Sequence, residues 1–244
     1  MKTLIYDKEK ELKLDLYLPE TKNPPLFIYM HGGGLGAGSR SDFDGIAGTL
    51  EKTGIASASL DYRMYPAAVF PEFIEDCAKA VDFLLNRAGY EFSKIIVGGS
   101  SAGAYLSMMM LFDKKYLGKY GIDPLSFDGW LLDAGQPTTH FNVLNERGLD
   151  SRLVRIDEAA PLYFIDRDFV PVRADRKLPR ILNISASNDM TCRLEQLKLL
   201  DATLRHFGYP ADRLRFEYMN GFSHCEYDGL PIFEKIIDDF VKSC

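Results

Sequence analysis

Hydrophobic and polar positions along the chain alternate between two periods. Apolar runs at Leu12–Leu18, Leu26–Met30, Ile55–Leu60, Ile95–Gly98, Gly129–Leu132, Ile181–Ser185 and Leu214–Met219 have the length of strands. Several, such as LFIYM, are apolar at consecutive positions, which suits strands buried on both faces. Between them lie helix-like stretches near Asp42–Lys52, Phe73–Arg87, Ala102–Tyr116, Cys192–His206 and Pro231–Lys242. The segment FIEDCAKAVDFLLNRAG repeats apolar residues at i, i+3, i+4 and i+7 and stops at Gly89, as an amphipathic helix does. Strand and helix in alternation predict an α/β fold, a mostly parallel sheet flanked by helices on both faces. No helix separates the first two runs, which are joined through PETKNPP, so they are expected to pair antiparallel at one edge. Only Gly135–Pro179 breaks the rhythm, with scattered aromatics and no clear strand. Long irregular segments in compact domains are usually functional. The expectation is therefore one domain over residues 1–244, with 135–179 as a lid or substrate wall.

Charge and composition narrow the function classes. Twenty-nine Lys and Arg against 35 Asp and Glu give a net charge of −6 over 244 residues, which argues against nucleic acid or an anionic membrane as a partner. The N-terminus MKTLIYDKEKE turns charged too soon for a signal peptide, and no uncharged apolar run approaches the roughly 20 residues that span a bilayer. Cys77, Cys192, Cys225 and Cys244 lie far apart, without metal-ligand spacing. These features predict a cytoplasmic protein with reduced thiols; a serine mechanism of the kind read below needs no metal and no organic cofactor.

The chemistry is concentrated in two glycine-rich turns. Gly99-Ser100-Ser101-Ala102-Gly103 follows an apolar strand and opens a helix, and it fits G-x-S-x-G with Ser101 at the centre. In that motif the chain turns so sharply that a side chain at either glycine would strike the neighbouring strand or helix. The serine hydroxyl then projects at a helix N-terminus, whose dipole favours developing negative charge. The plain alternative is a glycine-rich anion-binding turn. His31-Gly32-Gly33-Gly34 follows the strand LFIYM. Glycines there let backbone N–H groups approach the carbonyl oxygen of an acyl substrate as it becomes an oxyanion, together with the N–H of the residue after the nucleophile, Ala102. No Lys-Ser follows the turn as in a phosphate-binding loop. Gly33→Val is expected to displace this turn with little loss of stability.

A serine nucleophile needs a base and an acid, in the chain order Ser, acid, His. Of four histidines, His31 precedes the serine, His206 closes a helix, and His140 falls in the irregular segment. His224, in the loop after the last strand, is the candidate base. Asp189 ends the penultimate strand and Asp133 ends the one before it; Asp189 is favoured and Asp133 is the rival. His140, Phe141 and Tyr163 are candidate substrate-binding residues. Met108, Met109 and Met110 read as core packing.

With these pieces in place the chain resembles the hormone-sensitive-lipase-like branch of the α/β-hydrolase esterases. That branch carries HGGG, then D-Y-R, then a proline-rich segment, then G-D-S-A-G. Here stand His31–Gly34, Asp61-Tyr62-Arg63, MYPAAVFPEFIED and Gly99–Gly103. The resemblance implies oxyanion donors at Gly33, Gly34 and Ala102 and catalytic Ser101, Asp189 and His224. Ser100 departs from the family's acid before the nucleophile, and Ala67 from the glutamate that follows the first proline of its proline-rich segment, L-A-P-E-x-P-F-P. Only about 30 residues precede HGGG, which implies a minimal or absent N-terminal cap and leaves substrate preference unborrowed. Asp61 and Arg63 are expected to form a buried structural pair. The implied activity is hydrolysis of a small-molecule carboxylic ester, and the short wall that 135–179 can supply leads separately to an expectation of short acyl chains; an amidase, formamidase or peptidase would use the same triad. A non-catalytic ligand receptor of this fold is the reading from a different class.

Overall fold

The computed structural model describes residues 1–166, 169 and 177–244. Eight strands form one sheet: β1 (Lys2–Asp7), β2 (Leu12–Tyr17), β3 (Leu26–Met30), β4 (Ala56–Leu60), β5 (Ile95–Ser100), β6 (Gly129–Asp133), β7 (Arg180–Asn188) and β8 (Leu214–Ser223). The helices are α1 (Asp44–Lys52), α2 (Glu72–Asn86), α3 (Ala102–Phe112), α4 (Lys115–Gly118), α5 (Phe141–Glu146), α6 (Arg193–His206) and α7 (Pro231–Ser243). Strand order is β1-β2-β4-β3-β5-β6-β7-β8, with β2 antiparallel to both its neighbours and every other pairing parallel.

The expected pairing of the first two predicted runs does not occur. β4 lies between β2 and β3, so β2 pairs with β1 and β4, and β3 with β4 and β5. A further strand, β1, sits at the edge. Its sequence KTLIYD is exposed over much of its length and paired on one side only, which leaves little hydrophobic signal.

Alternating side chains of the central strands feed two cores. Leu26, Ile28 and Met30 face α2 and α3, whereas Phe27 and Tyr29 face Phe43, Ile46 and Leu50 beside α1 and Phe233, Ile237 and Phe240 of α7. Helix α3 runs through the interior with all eleven residues buried, Met108, Met109 and Met110 among them. It ends earlier than its sequence pattern implies: the chain leaves the helix at Asp113 and resumes as the single turn α4.

Parallel strands place their C-terminal ends along one edge, where ligands bind in open α/β sheets. The ends of β3, β5, β7 and β8 lead into His31, Ser101, Asp189 and His224 respectively. Register sharpens this, because Met30 is level with Gly99 and Asn188 with Ser223. Residues 189 and 224 therefore leave the sheet side by side. Of the segment 135–179, positions 167, 168 and 170–176 lie outside the described residues. Among the described residues no helix is long and apolar enough to cross a membrane.

Candidate active site

The turn at Ser101 is built by exclusion. A Cβ on Gly99 would sit 2.4 Å from the Met30 carbonyl oxygen, and one on Gly103 would sit 1.9 Å from the same atom. Strand β3 thus leaves room for nothing larger than hydrogen at both positions. Between them Ser101 adopts φ 54°, ψ −114°, a conformation that L-residues rarely hold. Its N–H donates to the Asp133 carbonyl at 2.8 Å, pinning the elbow to β6. The side chain is left pointing away from the sheet, at the N-terminus of α3.

Three predicted residues meet there. His224 Nε2 lies 2.8 Å from Ser101 Oγ, and His224 Nδ1 lies 2.6 Å from Asp189 Oδ1. The Asp189 carboxylate is nearly inaccessible, at 1 % exposure, and also accepts the Met190 N–H at 2.7 Å. A carboxylate on Nδ1 fixes the tautomer that leaves Nε2 free to take a proton from the serine.

Asp133, the rival acid, faces elsewhere. Tyr227 Oη donates to its Oδ1, and Cys225 Sγ lies 3.9 Å from its Oδ2. Burial, followed by the neighbouring Asp228, pushes Asp133 well above the usual carboxylate range. Among the described residues, Asp133, Cys225 and Asp228 also bring ligand-type atoms within 4.8 Å of one another. Burial and then Asp133 raise the Cys225 thiol as well.

The HGGG turn is held from behind. His31 is buried, stacks on Tyr62 at 4.4 Å, and approaches the Gly32 carbonyl through Nδ1 at 2.8 Å, while Tyr62 Oη donates to the His31 carbonyl at 2.8 Å. Gly33 and Gly34 both have positive φ, 97° and 64°. The N–H groups of Gly33, Gly34 and Ala102 donate to no acceptor among the described residues. Gly33 and Gly34 line the same cleft as Ser101, and unpaired backbone donors there suit an oxyanion.

The expected stability of Gly33→Val does not fit this geometry. A Cβ at Gly33 would lie 2.0 Å from the Ala37 carbonyl oxygen, and φ 97° disfavours any L side chain. Gly33→Ala should therefore lower stability by about 2 kcal/mol or more, a fall in Tm of roughly 4–8 °C. Loss of one oxyanion donor should also cut kcat by about 10²–10³. Differential scanning calorimetry beside ester kinetics checks both; an unaltered Tm would contradict the clash.

A cleft of about 660 Å³ opens over Ser101. The irregular segment contributes Phe141 and Asn142 to it, and other walls come from Asp42 and Ile46 near α1, Met190, and the loop bearing Cys225 and Asp228. The wall is thus shared among four parts of the chain, where the sequence reading gave it to 135–179 alone. Phe141 is in place: a Cβ on Gly34 would lie 3.2 Å from its Cζ. His140 does not line the cleft. It is buried, caps α5 by accepting the Asn142 N–H, and stacks on Phe141 at 4.4 Å, supporting that ring from behind. Burial, then Arg193 and His224, hold His140 well below the usual imidazole range. Tyr163 is 57 % exposed against Phe164 and is not part of the cleft wall, while Phe169 packs on Phe112 in the core. Asp61 and Arg63 do not pair with each other: Asp61 holds Arg40, and Arg63 holds Asp76 and Glu72.

Residues 14–121 match the BD-FAE family model, a stretch that includes both glycine-rich turns. The apo form of Thermogutta terrifontis esterase 2 superimposes with a TM-score of 0.79 over 99 % of this chain and 94 % of its own, at 18 % identity. The fold is that of the α/β-hydrolases. A butyrate-bound form of the same hydrolase gives a TM-score of 0.76 over 99 % and 93 %, at 18 % identity. Among sequence relatives, "Probable carboxylesterase 1" of Arabidopsis thaliana is 31 % identical over 48 % of this chain and 44 % of its own. "Carboxylic ester hydrolase LipN" of Mycobacterium tuberculosis is 31 % identical over 48 % and 32 %. The chain thus spans less than half the length of these curated relatives.

Proposed function

We propose that the protein hydrolyses carboxylic esters through an acyl-enzyme on Ser101. The observation that carries this reading is the continuous hydrogen-bonded line Asp189–His224–Ser101, at 2.6 and 2.8 Å. In the proposed cycle Ser101 Oγ attacks the ester carbonyl while His224 Nε2 takes its proton. The carbonyl oxygen becomes an oxyanion held by the N–H groups of Gly33, Gly34 and Ala102. Collapse expels the alcohol, which receives the proton from His224. Water activated by the same nitrogen then releases the acid. Asp189 holds the imidazole orientation and stabilises its charged form throughout.

Acyl preference should favour short chains. The cleft is walled near Ser101 by Phe141, Ile46 and Met190, and Met190 is 44 % exposed, so apolar contact beyond the first few carbons is thin. Each buried methylene is worth about 0.8 kcal/mol only while wall remains to touch it. Propionate- and butyrate-bound forms of the Thermogutta esterase are in keeping with this reading. A panel of p-nitrophenyl esters from acetyl to octanoyl, with aryl amides beside it, tests the reaction class and the preference together. The expected result is ester turnover with kcat/KM highest between acetyl and butyryl. Values still rising at octanoyl would overturn the chain-length reading; turnover of amides alone would overturn the ester reading.

A further inference from the structure

A second cavity of about 390 Å³ adjoins the cleft over Ser101. Phe141 and Met190 line both spaces and form the threshold between them. The lips of the second cavity are apolar, with Leu153 and Val154 46 % and 60 % exposed. Arg193 also lines it, and that side chain is unusual in its surroundings.

Arg193 is buried, with 4 % exposure, yet among the described residues it has no carboxylate within ion-pair distance. Its partners are neutral: Nη1 donates to the Ala134 carbonyl at 3.2 Å, and Nη2 to Gln136 Oε1 at 3.3 Å and to Met190 Sδ at 3.9 Å. A guanidinium has five N–H groups, so donors remain. Burying a charge without an opposite charge is costly, and proteins usually pair it. Asp189 is the nearby carboxylate that acts on Arg193, and it is already engaged by His224. His140, the neighbouring imidazole, offers no negative charge. At the rim, Arg152 is matched by Asp150.

The supporting amides are fixed in advance. Gln136 Nε2 donates to the Thr139 carbonyl at 3.0 Å and to Thr138 Oγ1 at 3.2 Å, and Thr138 Oγ1 donates to Gln196 Oε1 at 3.1 Å. Such a network fixes the Gln136 amide that holds Arg193 in the cavity wall before any ligand arrives. We infer that this cavity is a subsite for a carboxylate carried by the substrate, with Arg193 as its anchor. The inference rests on the proposed ester hydrolysis at Ser101. It assigns the substrate class as an ester with a free carboxylate on either its acyl or its alcohol part. Arginine suits this role through its planar fork of donors.

Matched pairs of compounds test it. 4-Carboxyphenyl acetate against 4-carbamoylphenyl acetate places the charge on the alcohol side. Monoethyl glutarate against its terminal carboxamide places it on the acyl side. Binding to Ser101→Ala protein, measured by calorimetry, reads the subsite without turnover, and kcat/KM of the wild type reads both steps. The expected result is a carboxylate-over-carboxamide ratio of tenfold or more in one pair, expressed in KM rather than kcat. Arg193→Met should reduce that ratio at least tenfold, and Arg193→Lys should retain part of it. Val154→Glu at the exposed lip should lower the same ratio by repulsion, which keeps the test available if Arg193→Met does not fold. A ratio near one in both pairs for binding, or a ratio unmoved by Arg193→Met and Val154→Glu, would overturn the subsite. Carboxylate-selective binding without hydrolysis of any of the esters would instead leave the subsite standing and overturn the reaction at Ser101.

Discussion

Ser101→Ala should lower kcat by about 10⁶-fold, the scale on which loss of a triad serine acts, or roughly 8 kcal/mol of transition-state stabilisation. The hydroxyl is the only atom removed. Its recorded partner is His224 Nε2, so the substitution deletes one hydrogen bond at a partly exposed site and fills no space. Alanine at the elbow must still adopt φ 54°, as serine does, so the backbone strain is unchanged. Thermal stability should accordingly stay within about 1 kcal/mol of wild type. His224→Ala should fall to a similar floor, and the double variant little further, because the two groups act as a unit. Some catalysis, about 10³–10⁴ over water, should persist from the oxyanion donors and binding alone. Additive losses in the double variant would mean that the two residues serve separate steps.

Asp189→Asn should cost about 10⁴-fold in kcat, while Asp133→Asn should leave most activity in place. The two aspartates sit at the ends of adjacent strands β7 and β6, yet their surroundings differ in kind. Asp189 Oδ1 touches His224 Nδ1, and an amide there favours the wrong imidazole tautomer. Asp133 is held by Tyr227 and pushed well above the usual carboxylate range, by burial first and then by Asp228. His224 Nδ1 is taken by Asp189, so Asp133 has no hydrogen bond to the imidazole through which to act. Steady-state kinetics on the two variants decide the matter, and the opposite order of losses would assign the acid to Asp133.

Much of this site is legible in the sequence because its geometry depends on small residues at fixed spacing. Gly99 and Gly103 announce themselves, since the Met30 carbonyl excludes any larger side chain at both. His224 is marked by chain order and by its place after the last strand, whereas chain order alone leaves Asp189 and Asp133 both open. What the sequence hides is pairing across long separations. Insertion of β4 between β2 and β3 leaves no local trace, and the edge strand β1 lacks an apolar face to mark it. Partners of Asp61 and Arg63 lie at Arg40 and Asp76, which only the crossover connections bring near. Met190 and Arg193 are similarly silent: one reads as a turn residue after Asp189, the other as an ordinary helical cation. Their placement beside Phe141 depends on how the 135–146 stretch packs against the start of α6.

The account turns on Ser101 being a nucleophile activated by His224, and a fluorophosphonate probe tests that most directly. Such a probe reacts with a serine only where the hydroxyl is activated and an oxyanion site receives the phosphonyl oxygen. Intact-mass measurement and peptide mapping of the treated protein should find one adduct, on the peptide containing Ser101. Labelling should be lost in Ser101→Ala and strongly slowed in His224→Ala. An unmodified wild-type protein, or an adduct on any other residue, would contradict the account.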